Sequence, residues 1–148
     1  MSIGCVCLFL FTAIYCTSAE LHRLYDDLFA DYECSAYPGP GTQVKLQMVV
    51  LGLMETQSSR SELLMKMNLR QTWYDNRISW DPENYSNISI VSLDSNPEFV
   101  NHCVWVPDLQ VVNNVLAYSD LIMTGTNVFP DGRVYQAKLG NIRSMLRF

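Results

Sequence analysis

Arg70 is the side chain best equipped for recognition chemistry in this 148-residue chain. Its guanidinium carries a planar fork of N–H donors that matches a carboxylate bidentately. Around it, Met65, Met67, Leu69 and Trp73 alternate with Lys66, Asn68, Arg70, Thr72 and Tyr74. A period of two predicts a strand with successive side chains on opposite faces. Trp73 then turns inward, and Asn68 and Arg70 share the open face. On such a face a solvated arginine is the commoner outcome; a carboxylate-binding one is the functional alternative.

Other chemistries find less support. Serine, histidine and aspartate are all present, but no triad, nucleophile elbow or paired-carboxylate motif joins them. The chain reads as a non-enzyme that needs no cofactor. His22 and His102 are isolated and no Cys-x-x-Cys exists, so no metal site is expected. A net charge of −5 without a basic run argues against nucleic-acid binding.

The amino terminus sets the compartment. Residues 1–19 carry no charged side chain, and an apolar run from Ile3 to Ile14 is broken only by Gly4 and Thr12. That run is too short for a bilayer, which needs roughly twenty residues. With Thr17-Ser18-Ala19 behind it, it predicts a signal peptide over 1–19 and a mature domain over 20–148, extracellular or secreted. Three of the five cysteines leave with the signal. Cys34 and Cys103 remain in an oxidising compartment, where they either bridge or stay as two thiols. Asn84-Tyr85-Ser86 and Asn87-Ile88-Ser89 are adjacent glycosylation sequons in a polar stretch.

The mature part opens on a helical stripe of Leu21, Leu24, Tyr25, Leu28, Phe29 and Tyr32, stopped by Pro38-Gly39-Pro40-Gly41. Val44, Leu46, Met48 and Val50 then alternate with Lys45 and Gln47, predicting a half-buried strand. Trp80-Asp81-Pro82 ends the strand that holds Arg70, and Trp105-Val106-Pro107-Asp108 marks another strand end or edge, since proline cannot donate to a ladder. Pro130-Asp131-Gly132-Arg133 between two apolar pairs predicts a hairpin. The expected fold is mainly β, an antiparallel sandwich with an N-terminal helix. An immunoglobulin sandwich is excluded: Trp73 lies far from Cys34, and Asn101 fills the place of the tyrosine two before the second cysteine.

Several of these segments, in this order, resemble one family. They are Arg23-Leu24-Tyr25-Asp26-Asp27-Leu28, Leu51-Gly52-Leu53, Trp73-Tyr74-Asp75, Trp80-Asp81-Pro82-Glu83 and Trp105-Val106-Pro107-Asp108. Together they are similar to the extracellular domain of pentameric Cys-loop neurotransmitter-gated ion channels, in particular nicotinic acetylcholine receptor subunits. The resemblance implies binding of a small transmitter, an amine or an amino acid, between homologous subunits of a pentamer. On the complementary face it points to Asn68, Arg70, Tyr135 and Ala137, and on the principal face to Val112. Asn68 and Val112 stand where nicotinic subunits carry aromatic residues, so neither supplies a π face for a cationic amine. Leu69-Arg70-Gln71 is similar to glycine- and GABA-gated subunits, in which this arginine meets the ligand carboxylate. Trp73, Asp75, Trp105, Pro107 and Asp108 are expected to be scaffold, with the tryptophans and aspartates buried.

The resemblance also implies parts that would follow Phe148: further strands, a cysteine-closed loop and four membrane helices. Leu146 or Phe148 occupies the place of that loop's first cysteine. The chain therefore reads as a truncated ligand-binding region of a channel subunit on the outer side of the plasma membrane. The alternatives are a secreted transmitter binder like the soluble acetylcholine-binding proteins, and a truncated regulatory isoform.

Overall fold

The computed structural model describes residues 19–57, 62–93, 103–109 and 121–145. A helix, α1, covers 19–29. It is followed by strands β1 (Lys45–Gln57), β2 (Glu62–Tyr74), β3 (Val91–Ser92), β4 (Leu121–Val128) and β5 (Arg133–Met145). Two short 3-10 turns, Asn76–Ile78 and Pro82–Tyr85, lie between β2 and β3. The strands form one antiparallel sheet in the order β1-β2-β5-β4-β3. The protein is thus mainly β with an N-terminal helix, and this sheet is one layer of the expected sandwich.

β2 obeys its period of two. Met67, Leu69, Gln71 and Trp73 are buried, while Lys66, Asn68, Arg70, Thr72 and Tyr74 are more open. Trp73 is 1% exposed and lies opposite Val134 of β5, which in turn faces Val128 of β4. Against this end of the sheet α1 lays Leu24, Tyr25 and Leu28, and Ile78, Trp80, Val91 and Leu93 complete the core. Each such side chain contributes roughly 1.5–3 kcal/mol when fully buried. Two polar tips inside the core find partners, Tyr25 Oη donating to the Ser92 carbonyl at 3.1 Å and Trp80 Nε1 to that of Ile88 at 2.8 Å, whereas Trp73 Nε1 has none.

Four sequence expectations need correction. α1 ends at residue 29, one turn short of the predicted stripe, and Tyr32 lies beyond it. β2 stops at Tyr74 rather than at Trp80, because Asp75 turns away to cap the first 3-10 turn. Residues 103–109 are not strand. Leu46, Met48 and Val50 are about half exposed rather than half buried, because β1 is the outermost strand and no described element covers them.

The predicted Pro-Asp-Gly hairpin joins β4 to β5. Phe129 N–H donates to the Arg133 carbonyl at 2.9 Å, and Gly132 N–H to that of Phe129 at 2.9 Å. Gly132 has φ +77°, and a Cβ there would stand 2.7 Å from the Asp75 carbonyl oxygen. The turn therefore needs glycine twice over, for its dihedral and for its close approach. Asp75 N–H returns the contact by donating to the Gly132 carbonyl at 2.8 Å.

Candidate ligand-binding site

The face of the sheet opposite Trp73 carries the candidate residues. β2 and β5 run in a register that sets Arg70 directly across from Ala137, Thr72 across from Tyr135, Tyr74 across from Arg133 and Asn68 across from Leu139. β1 adds Gln47 beside Arg70 and Lys45 beside Thr72. Cross-strand partners share a face with Cβ atoms about 5 Å apart, so Asn68, Arg70, Tyr135 and Ala137 form one surface. Val112 lies outside the described residues.

A cleft of about 800 Å³ opens on this surface, with Lys45, Gln47, Arg70, Thr72, Arg133 and Tyr135 in its wall. Its lining contains three cations and no carboxylate, although the whole chain is net negative. Asn68 and Ala137 are on the same face but outside the cleft wall, and Ala137 is buried beneath its neighbours. Arg133 stacks its guanidinium 3.9 Å above the Phe129 ring and makes a loose, exposed ion pair with Asp131, Nε to Oδ2 3.9 Å, outside the cleft wall.

Arg70 itself is only partly satisfied. Nη1 donates to Gln47 Oε1 across a long 3.4 Å, while Nε is buried with no hydrogen-bond partner. Asn68 Oδ1 is likewise buried and unpartnered. Leaving such a group unmade costs roughly 1–3 kcal/mol. What the sheet offers is thus an oriented, underused guanidinium at the floor of a cationic cleft. Sequence reading missed Lys45 and Arg133, because their proximity to Arg70 depends on strand register. The shared period-two face of Arg70, Thr72 and Tyr74 was the one available signal.

The two tryptophan motifs meet on the other side. Trp73 and Trp105 contact edge to face with ring centroids 6.1 Å apart. Tyr32 links Trp105 to an ion pair between the buried Asp75 and the partly exposed Arg77. Arg77 Nε donates to Asp75 Oδ1 at 2.8 Å and Nη2 to Oδ2 at 2.6 Å. Tyr32 Oη donates to Asp75 Oδ2 at 2.8 Å and accepts from Trp105 N–H at 2.9 Å. Burial alone would push the Asp75 carboxyl up; the hydrogen bonds from Arg77 and Tyr32 outweigh it and hold the group below the usual carboxylate range. Burial also pushes the Tyr32 phenol up to about 12, helped by the adjacent Asp75. Cys34 and Cys103 are disulfide-bonded beside this cluster, with Cα atoms 5.8 Å apart. Asp75 is fully buried, and Pro107 faces inward. Asp108, expected inside, is exposed. The contrast has a physical reason: Asp75 owns a guanidinium, and a carboxylate without one stays in water.

Asn84 and Asn87, the sequon asparagines, are both exposed on and just after the Pro82–Tyr85 turn. Among the described residues no helix is long and apolar enough to cross a membrane, and no group of metal-binding side chains occurs.

Comparison with known proteins agrees with this fold. The family described as the neurotransmitter-gated ion-channel ligand binding domain matches residues 21–145. The acetylcholine receptor subunit alpha-type unc-38 of Caenorhabditis elegans is 27% identical over 140 residues, which is 86% of this chain and 26% of that protein. The neuronal acetylcholine receptor subunit alpha-2 of Gallus gallus is 26% identical over 117 residues, 76% of this chain and 21% of that protein. The acetylcholine receptor subunit beta of Xenopus laevis is 30% identical over 96 residues, 62% of this chain and 18% of that protein. This chain spans about a quarter or less of the length of these relatives, which are receptor subunits and not enzymes. The chain belongs to the family of neurotransmitter-gated ion-channel ligand-binding domains.

Proposed function

We propose that this chain is the extracellular ligand-binding region of a channel subunit that offers the complementary side of a transmitter site. Its ligand carries a carboxylate, as an amino-acid transmitter does. The observation that supports this reading best is the cleft wall, where Lys45, Arg70 and Arg133 meet with no acidic side chain. Such a lining attracts an anion and repels a quaternary amine. Arg70, with its buried Nε unspent, supplies the directional hydrogen bond, and Tyr135 packs along the ligand's apolar part. A homologous subunit provides the opposing wall, with Val112 among its residues in a like copy. The signal peptide over 1–19, glycans at Asn84 or Asn87, and pentameric assembly at the plasma membrane belong to the same reading. Loss of that assembly would leave a secreted binder or a regulatory isoform.

A second reading is acetylcholine, because the relatives are named as acetylcholine receptor subunits. Tyr74 and Tyr135 in the cleft are the aromatic rings it would use. Calorimetric titration of the secreted chain with glycine, γ-aminobutyrate and choline separates the two. The carboxylates are expected to bind weakly but saturably, and Arg70→Ala to weaken them at least about tenfold, the value of a charge-assisted hydrogen bond. Arg70→Lys recovers part of the affinity by keeping the charge without the fork. Choline binding that survives Arg70→Ala, with no carboxylate binding, rejects the proposal in favour of the amine.

A further inference from the structure

Among the described residues, Arg70 is the arginine without a carboxylate in ion-pair range; the others are matched to Glu20, Asp75, Asp131 and Glu62. Lys45 makes no ion pair either, and its side chain is exposed. Both unmatched cations line the same cleft. That cleft lies on the face of the sheet turned away from Trp73 and the core around it.

Strand register brings the two together. Gln47 stands directly across from Arg70, and Lys45 directly across from Thr72, so Lys45 is the diagonal neighbour of Arg70. Diagonal neighbours are about 7–8 Å apart, within reach of long side chains. Gln47 and Thr72 beside them are neutral, and the cleft wall has no acidic side chain. Arg133, the third cation, already has Asp131, and its place across from Tyr74 sets it farther along the sheet.

Like charges at this spacing repel each other, and an ion between them relieves both. A single carboxylate on Arg70 leaves the Lys45 ammonium unanswered. A ligand amine extending toward Lys45 would meet a like charge. A second acid group on the ligand answers both cations, and the diagonal spacing keeps the two acid groups a short chain apart.

We propose that the cleft selects a short dicarboxylate, with one acid group on the Arg70 guanidinium and the other on the Lys45 ammonium. The proposal rests on the carboxylate reading above and narrows its ligand class.

Calorimetric titration of the purified chain with glutarate and γ-aminobutyrate at one ionic strength tests it. The two compounds have the same methylene spacer and differ in one end group, a carboxylate or an ammonium. Glutarate is expected to bind at least about tenfold more tightly, the value of one added charge-assisted hydrogen bond. Lys45→Gln should bring the ratio of the two affinities close to one. Lys45→Glu should invert it, because the amine then faces a carboxylate and glutarate a like charge. A purely structural role for Lys45 would not reverse the preference. Circular dichroism of each variant shows that it is folded before it is scored. Glutarate binding no tighter than γ-aminobutyrate, or a glutarate preference that survives Lys45→Glu, overturns the proposal and leaves the carboxylate reading in place. Binding of neither compound overturns both.

Discussion

Arg77→Met is expected to lower folding stability by about 3–5 kcal/mol, the cost of leaving a buried carboxylate without its partner. Asp75 is fully buried, and Arg77 supplies two of its side-chain hydrogen bonds and its only positive charge among the described residues. Removing Asp75 instead is milder, because Arg77 is 30% exposed and can turn to water. The sign of the pH dependence separates the two. In the native protein the Asp75 carboxyl is held below its unfolded value. Its stabilisation is therefore complete above that unfolded value, about pH 3.9, and lost as pH falls through the lower folded one. In Arg77→Met only the bonds from Tyr32 and the residue 77 N–H still oppose burial, and the carboxyl rises above its unfolded value. That variant should gain stability on acidification from neutral pH towards about pH 4, while the native protein does not. Urea midpoints at the two pH values measure both effects.

Replacing both Cys34 and Cys103 with alanine is expected to cost about 4 kcal/mol, since the bond closes a long loop in the unfolded chain. The two are 69 residues apart in sequence. The loss is large against the roughly 5–15 kcal/mol that a domain has in total. The bond also has a local task. It ties the segment after α1 to residues 103–109, the two stretches that Tyr32 joins through Trp105 N–H and Asp75. Combined with Arg77→Met, the effects should therefore fall short of their sum, because both changes release the same junction. Thermal melts of the four proteins, with and without reductant, provide the cycle.

Much of this fold was legible because its signals are local. The alternation of Met67, Leu69 and Trp73 with Asn68, Arg70 and Thr72 assigns β2 its two faces without reference to any other strand. Pro130-Asp131-Gly132 likewise announces its own turn. What failed depended on neighbours far along the chain. Tyr32 continues the helical stripe in sequence, yet it serves the buried Asp75, 43 residues away. Leu46, Met48 and Val50 alternate as a half-buried strand should, but burial needs a covering layer, and alternation does not say whether one is present. Asp75 and Asp108 both close a tryptophan motif, and the distant Tyr32 together with Arg77 distinguishes the buried one from the exposed one. The site divided in the same way. Arg70 was visible from residue type and strand period. Its company of Lys45 and Arg133 was not, because register between β1, β2 and β5 is written in pairings across the sheet.

The most direct measurement is the ¹⁵N resonance of the Arg70 Nε–H in the purified chain, followed while γ-aminobutyrate and then choline are added. A carboxylate seated on the guanidinium should move that signal downfield and saturably, with the Tyr135 ring shifting at the same ligand concentrations, and choline should leave both in place. A shift of the Tyr74 and Tyr135 rings by choline, with the Arg70 signal unmoved by either ligand, would contradict a carboxylate-binding face.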